Sequence, residues 1–439
     1  MAGGNWTIQN KVLPGVYTNV VGKGAAEVGE GTRGIVAMPI VLPWLAEKTI
    51  VAVQADDLTA LYTLIGAPML PLREALKYAH TVLVYRPNEG VKATATAGNL
   101  TATAKYSGSV GNRLTVSVEA IPNSTGQYYV RTFLDGSEVD IQQAATAADV
   151  KANAYVDFSG TGNLVANAGA ALSGGADGTA EVSDYTAALA AFELHTFNAI
   201  PSLTTDSSVN DLIIAYVNRL RGEEGKNVQA VVPNVVGADS LAVISVKNGY
   251  LLADGTTVTA AQATGFVAGA TAGVSLAESL TNAIVPDAVD VTERYTTSQL
   301  IDLINAGQIA FIPSPVGGNA VTICKDINTL TTYTDDQPKI FAKNKVVRTL
   351  DAIADTIYQR GYASYIGKVP NTENGRMLFK SEIMAYLREL EAQEVIRDVT
   401  SEDIIIRRGD EIDAVVVDYA VRPVDVMEKI YNTIVVSTV

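Results

Sequence analysis

Few side chains in this chain are of the types that carry nucleophilic or metal chemistry. The histidines are His80 and His195, and Cys324 is the one cysteine. A Ser-His-Asp triad needs a histidine held beside an activated serine. His80 directly precedes the apolar run Thr81–Tyr85, and His195 lies between an alanine-rich stretch and Phe197. Neither context is catalytic, so both histidines are predicted to be structural, and with one cysteine they form no zinc-ligand cluster.

The glycine-rich stretches lack the spacing of a phosphate-binding loop. Residues 222–227 read GEEGKN, which is too short for such a loop and has no hydroxyl residue after the lysine. The pairs Gly174-Gly175 and Gly317-Gly318 are typical of turns or linkers. Arg408-Gly409-Asp410 spells an integrin-type tripeptide, but a turn before a strand explains it. These motifs give no support to an enzyme.

The C-terminal residues 412–439 are the most strand-like part of the chain. Two runs rich in Val, Ile, Thr and Tyr, Ala414–Val421 and Lys429–Val439, flank Arg422-Pro423 and a short polar spacer. In the first run alternate positions are apolar, which predicts a strand with one covered face. A strand needs a sheet to join, and two alternatives stay open: the chain's own sheet or the sheet of a neighbouring molecule.

Composition and charge limit the classes of partner. The chain has 439 residues, 48% hydrophobic and 18% charged, which predicts a folded protein with several domains. A net charge of −15 argues against broad binding to nucleic acid or anionic membranes. One cysteine allows no intrachain disulfide. The first residues, MAGGNWTIQN, are not those of a signal peptide, and we expect a protein made in the cytoplasm without membrane insertion.

Changes in composition along the chain predict its domains. Residues 1–22 are predicted to be an extended N-terminal arm, and residues 23–90 with 179–330 an α/β core whose mostly parallel sheet has helices on both faces. The Ala-, Thr- and Gly-rich residues 91–178 are predicted to be an inserted β domain that ends in a glycine-rich linker. Residues 331–411 are predicted to be an α+β domain, followed by the strand and arm of residues 412–439.

Hydrophobic periodicity places the main elements. Strands are predicted at Thr81–Tyr85, Arg113–Ile121 and Tyr128–Leu134. Helices are predicted from Ser207 to before Gly222, from Thr259 toward Leu280, from Val346 to Gly361 and over Asn374–Arg397. The strand order of the core does not follow from the sequence.

Three groups of residues together carry a family resemblance. The C-terminal group is Pro423-Val424-Asp425, followed by Glu428-Lys429-Ile430-Tyr431 and a closing strand. The N-terminal group is Val12–Tyr17 with Arg33–Pro39, and the third is Ala104–Gly108 with Gly111–Val116. These groups resemble, in turn, the C-terminal end, the N-terminal arm with the first core strand, and the start of the small β domain of the contractile tail sheath family of phages, defective prophages and bacteriocins from Gram-positive bacteria.

The resemblance implies an α/β multidomain fold. Its core would be subtilisin-like and non-catalytic, with an inserted β-sandwich or β-barrel domain and a C-terminal α+β domain with extended terminal arms. It also implies a structural subunit that polymerises as stacked hexameric rings around an inner tube and contracts to drive the tube through a cell envelope. No cofactor or metal is implied. The alternatives are the sheath of a contractile bacteriocin or injection system and, more remotely, a serine hydrolase with a β accessory domain.

The implied partners are other copies of the chain, the inner tail tube protein, and the baseplate and tail terminator proteins. Assembly is expected in the bacterial cytoplasm, and the product is the tail sheath of a virion or a released particle. Intersubunit contacts are expected from the residues of both arms, which are Val12, Leu13, Pro14, Gly15, Val16, Tyr17, Tyr419, Val421, Arg422, Pro423, Val424, Asp425, Glu428, Lys429, Ile430, Tyr431, Ile434 and Val436.

One segment is basic in this acidic chain. Residues 341–397 hold nine basic and seven acidic side chains by our count over the sequence. One interpretation is a solvated helix pair of mixed charge. The other is a surface that faces an acidic partner, which in a sheath would be the tube, with Lys343, Lys345 and Arg348 as the candidate tube-facing residues.

Overall fold

The computed structural model describes residues 33–436. The predicted N-terminal arm, with Val12 to Tyr17, lies outside the described residues, as do residues 437–439. Within the described range no helix is both long and apolar enough to cross a lipid bilayer.

The first described segment forms one edge of a large sheet. Its elements are β1 (Ile35–Pro39), β2 (Ile50–Val53), α1 (Ala55–Ile65), α2 (Leu70–Ala75) and β3 (Thr81–Tyr85). Strand β3 has the predicted bounds. β1 and β3 are parallel, and β2 joins β3 in the antiparallel direction. All but the first residue of β3 are buried, as its continuous apolar run predicts.

Two antiparallel sheets follow. A four-stranded sheet has the order β10-β6-β7-β8 and a three-stranded sheet the order β4-β5-β9. Alternate side chains of β5 and β6 are buried in one apolar cluster that includes both sheets. The strands are β4 (Thr94–Ala97), β5 (Leu100–Ala104), β6 (Leu114–Ala120), β7 (Tyr128–Leu134), β8 (Ser137–Ala144), β9 (Val156–Gly160) and β10 (Asn167–Ala171).

The chain enters and leaves these β-sheets side by side. Val91 and Ala176 exchange backbone hydrogen bonds of 2.9 and 3.0 Å. A Cβ on Gly90 would lie 1.8 Å from the Ala176 carbonyl oxygen, so glycine is required for this close approach. The glycine-rich exit, predicted to be a linker, is therefore held by pairing with the entry strand.

Helices and strands then alternate along the chain. The bounds are α3 (Val182–Phe192), β11 (Ala199–Pro201), α4 (Ser207–Glu223), β12 (Gln229–Pro233), β13 (Val243–Val246), β14 (Tyr250–Leu252), β15 (Thr257–Val258), α5 (Ala260–Gly273), β16 (Ala288–Val291), α6 (Thr297–Asn305), β17 (Gln308–Ile309), β18 (Phe311–Pro313) and β19 (Val321–Ile323).

The central sheet has seven strands in the order β17-β13-β12-β11-β1-β3-β2. All neighbours are parallel except β2 and β3. Alternate strand residues point to two apolar clusters, one under α5 and the other under α3 and α4. The predicted mostly parallel sheet with helices on both faces is confirmed.

Helix α5 packs against α2 through glycines. A Cβ on Gly265, Gly269 or Gly273 would lie 2.0 to 2.5 Å from a carbonyl oxygen in or just after α2. The helix ends at Gly273, earlier than the predicted end near Leu280, because Val274 takes an extended conformation. Its start is fixed by reciprocal hydrogen bonds between Thr259 and Gln262.

The C-terminal part consists of two long helices and a hairpin. They are α7 (Asn344–Ser364), α8 (Glu373–Ala392), β20 (Ile404–Arg408) and β21 (Val415–Tyr419). An apolar cluster joins α7, α8 and β20. Helix α8 ends five residues before the predicted Arg397, since Glu394 has a φ of 58° and Val395 is already buried beyond the helix.

Candidate interaction site at the C-terminal segment

The first strand-like run of the tail joins the chain's own sheet. β21 pairs with β20 in an antiparallel hairpin whose register sets Ile404 opposite Tyr419. These two strands make up the whole sheet among the described residues. For this run the alternative of the chain's own sheet is therefore correct, and the hairpin keeps unpaired backbone edges that could receive further strands.

The next residues run along the link between α8 and β20. The Arg397 amide donates to the Arg422 carbonyl oxygen at 3.0 Å, and the Val424 amide to the Val395 carbonyl oxygen at 2.9 Å. The Arg422 guanidinium binds the Asp403 carboxylate at 2.8 Å. This hydrogen bond holds the pKa of Asp403 well below its usual range.

The next part of the tail is held by a lysine that pairs with two of the tail's carboxylates. Lys343, the residue before the first turn of α7, forms ion pairs with Asp425 and, at 2.9 Å, with Glu428. The other Glu428 oxygen accepts a hydrogen bond from the Thr281 hydroxyl at 3.0 Å. Partial burial acts to lower the pKa of Lys343, but the two carboxylates outweigh it and raise this pKa. We call Lys343, Asp425, Glu428 and Thr281 the Lys343 clasp.

Beyond the clasp the tail is exposed. Ile430, Tyr431, Ile434 and Val436 are 73%, 88%, 88% and 81% exposed. No backbone hydrogen bond joins residues 429–436 to any other described residue. The second predicted strand is thus not formed within the described part of the tail, which runs to Val436. Apolar side chains at this exposure are a feature of segments that bind a partner.

An apolar groove of about 700 Å³ lies beside the hairpin. It runs between the C-terminal half of α7, the start of α8 and β21, and its aromatic lining includes Tyr358, Tyr362 and Phe379. Tyr358 and Tyr362 are stacked with ring centroids 6.2 Å apart, and they are 70% and 64% exposed. The groove is thus an apolar surface next to the hairpin's strands, and the exposed tail is a second apolar surface.

The three candidate tube-facing side chains all make contacts within the subunit. Lys345 and Arg348 are each only 2% exposed. Arg348 forms a 2.8 Å ion pair with the fully buried Asp326, and Lys345 donates to the Val424 carbonyl oxygen. With Lys343 bound in the clasp, these three cations serve contacts within the chain. They do not form the open basic surface expected from spacing alone.

Ionic contacts also join the central region to α7. Arg221 of α4 binds Asp351 of α7 through two hydrogen bonds of 2.8 and 2.9 Å. One turn along α7, Asp355 accepts a 2.8 Å hydrogen bond from the Asn227 side chain. Burial, with the nearby Asp351 charge, raises the pKa of Asp355 to about 6. Sequence reasoning did not find these contacts, because their partners are more than 100 residues apart.

The two histidines and the cysteine singled out in the sequence are His80, His195 and Cys324. His80 and His195 are exposed, and the His80 Nδ1 atom lies 2.9 Å from the Thr81 hydroxyl. Partial burial raises the pKa of the Cys324 thiol. Across residues 33–436 no three His, Cys, Asp or Glu side chains are grouped as metal ligands.

Four family models match consecutive parts of the chain. They describe the tail sheath protein Gp18 domain III N-terminal region at residues 33–86 and the phage tail sheath protein beta-sandwich domain at residues 88–177. The phage tail sheath protein central domain matches residues 178–329, and the phage tail sheath C-terminal domain matches residues 336–437.

Relatives and solved structures cover nearly the full length. The phage-like element PBSX protein XkdK of Bacillus subtilis strain 168 is 36% identical, with all of both chains covered. The crystal structure of a sheath tail protein from Desulfitobacterium hafniense has a TM-score of 0.84 at 41% identity and covers 95% of this chain and 99% of that one. A sheath tail protein from Listeria innocua has a TM-score of 0.79 at 34% identity and covers 92% and 94%.

Proposed function

The chain belongs to the phage tail sheath protein family, and from this premise we propose that it polymerises as stacked hexameric rings around an inner tail tube. Contraction of this sheath would drive the tube through a target cell envelope. Other proposed partners are the baseplate and tail terminator proteins. The subunit would assemble in the bacterial cytoplasm and end up in a virion tail or a released particle.

The observation that carries the proposal is the tail beyond Glu428. Its apolar side chains are exposed, while the hairpin β20–β21 has unpaired edges beside an apolar groove. A tail that adds a strand to the hairpin of another copy would cover the tail's apolar side chains and would also pair the hairpin's free edge. Such a contact joins two different surfaces and can therefore propagate through a lattice. A self-complementary contact, in contrast, would close as a dimer.

We also propose the predicted division of the chain into arms, an α/β core with a subtilisin-like chain trace, an inserted β domain and a C-terminal domain. In this proposal the core is structural. The exposed positions of His80 and His195 offer nothing that favours a serine hydrolase. The sheath of a contractile bacteriocin or injection system would use the same surfaces and differ only in the particle served.

Two truncations test the function. Deletion of residues 1–20, or of residues 431–439, should leave a folded subunit that no longer forms polymers. Circular dichroism and thermal melting report the fold, and sedimentation with electron microscopy reports the polymer. Cylinders like those of the full chain from both truncations would contradict the proposal. Loss of the thermal transition would also contradict it, since the tail would then belong to the subunit's own core.

A further inference from the structure

The Lys343 clasp separates a fastened part of the tail from an exposed one. Up to Glu428, whose side chain is 12% exposed, the tail is bound to the rest of the subunit by the Arg422–Asp403 pair, backbone hydrogen bonds and the clasp. Two residues later, Ile430 is 73% exposed. The change from bound to exposed chain therefore falls at the clasp.

The clasp also lies far from the subunit's own groove. Lys343 precedes the first turn of α7, whereas the groove begins at Ile357 on the same helix. At about 1.5 Å per residue these positions are roughly 21 Å apart along the helix axis. Thr281, the fourth member, follows α5 in the central region. The tail thus leaves the subunit at the opposite end of α7 from its own groove.

We propose that Lys343, Asp425 and Glu428 are positioning residues that fix where the C-terminal tail leaves the subunit and so present it to a second copy of the chain. This inference rests on the proposed function of the tail in assembly. It assigns to Lys343 a role in directing the tail, in place of the tube contact expected from the sequence.

The electrostatics of the clasp favour a fixed geometry. One lysine faces two carboxylates, so the group has a net negative charge at the start of a long helix, where negative charge is stabilised. Lys345 adds a charge-assisted hydrogen bond to the Val424 carbonyl oxygen. These contacts are partly buried and are screened by salt less than exposed pairs are.

The test is charge reversal and rescue in the full chain. Lys343→Glu should speed hydrogen exchange of residues 424–428 in unassembled subunits and raise the concentration needed for polymers by about fivefold or more. The double variant Lys343→Glu with Glu428→Lys should recover part of both properties. The matched control is Lys339→Glu, since Lys339 is exposed four residues earlier and contacts the Tyr333 ring. Lys343→Met serves the same test if the reversed variant does not fold.

Each outcome decides the inference. Normal polymers from both Lys343 variants, with or without faster exchange, would overturn it, and so would an equal loss of polymers in Lys339→Glu. If these variants assemble normally while the 431–439 deletion does not, the clasp inference fails and the proposed function stands. If the deletion assembles like the full chain, the proposed function itself fails.

Discussion

Among single residues, Asp355 has an ionisation that opposes folding at neutral pH. It faces Asn227, with Asp351, Arg221 and Arg33 nearby, and its pKa is raised from 3.8 to about 6. The folded state therefore holds the proton more tightly than the unfolded state between these two values. The free energy of unfolding falls as the pH rises through this window, because the carboxylate must then ionise while partly buried.

Replacement of Asp355 by asparagine removes this ionisation and keeps an oxygen to accept the Asn227 hydrogen bond. We expect the Asp355→Asn variant to be more stable than the parent by about 1–2 kcal/mol above pH 7, which allows for solvent screening of a partly exposed group. Near pH 4 the difference should vanish. Denaturant unfolding at pH 4, 6 and 8 measures it, and a difference that does not change with pH would contradict the assignment.

At the scale of elements, Arg221 connects α4 to α7. Arg221→Met would leave Asp351, which is 8% exposed, without its two hydrogen-bond donors. Loss of one partner of a buried ion pair costs about 3 kcal/mol or more. The control is Arg219→Met on the same helix, whose partners Glu193 and Glu224 are more exposed. Loss of the Arg219 pairs should cost clearly less than loss of the Arg221 pair, because solvent screens exposed ion pairs. If denaturant unfolding gave the same loss of stability for both variants, the buried Arg221–Asp351 pair would contribute no more to stability than the exposed Arg219 pairs.

The glycines of α5 set how closely two elements approach. A Cβ on Gly269 would lie 2.1 Å from the Ala75 carbonyl oxygen, so Gly269→Val must push α2 away. We expect a loss of about 3 kcal/mol, the upper range for overpacking. The matched substitution Gly222→Val lies near the end of α4, where nothing is within 4 Å of the added Cβ. Similar melting temperatures for both variants would contradict the close packing.

Element types followed from the sequence better than element ends. Strands Thr81–Tyr85 and Tyr128–Leu134 have their predicted bounds, because alternation or a continuous apolar run defines them locally. The end of α8 was missed because Glu394 adopts positive φ without a glycine to signal it. Helix α4 begins at Ser207 as predicted, and the residue before it is the cap, since the Asp206 side chain accepts a hydrogen bond from the Ser208 amide.

At the scale of the whole molecule, the contacts that could not be predicted from the sequence are those between distant segments. Strand order in the central sheet depends on contacts between segments far apart in sequence, and no local pattern encodes them. The same holds for the clasp, whose Lys343 and Glu428 are 85 residues apart. Lys343, Lys345 and Arg348 lie close together in the sequence. Only the positions of their partners Asp425, Val424 and Asp326 show that all three are held by contacts within the chain.

The net charge of the whole chain predicts how salt affects assembly. Copies with a charge of −15 repel one another, and salt screens this repulsion over about 10 Å at 0.1 M. Polymer formation should therefore increase as salt rises from about 0.02 to 0.2 M, since the proposed tail contacts are mainly apolar. Sedimentation across this range measures it. A steady decrease would mean that exposed ion pairs between copies dominate assembly.

The clasp also makes the tail a tether. Each extended residue beyond it adds about 3.3 Å, so a strand contact made by residues up to Val436 lies within roughly 26 Å of the clasp. In the proposed lattice, the receiving edge on a second copy must then stay within that radius of the first copy's clasp. Subunits could turn and slide during contraction, but their anchor points could not move further apart than the tether allows. The position of one lysine would thus limit how far a sheath can rearrange without losing its connections.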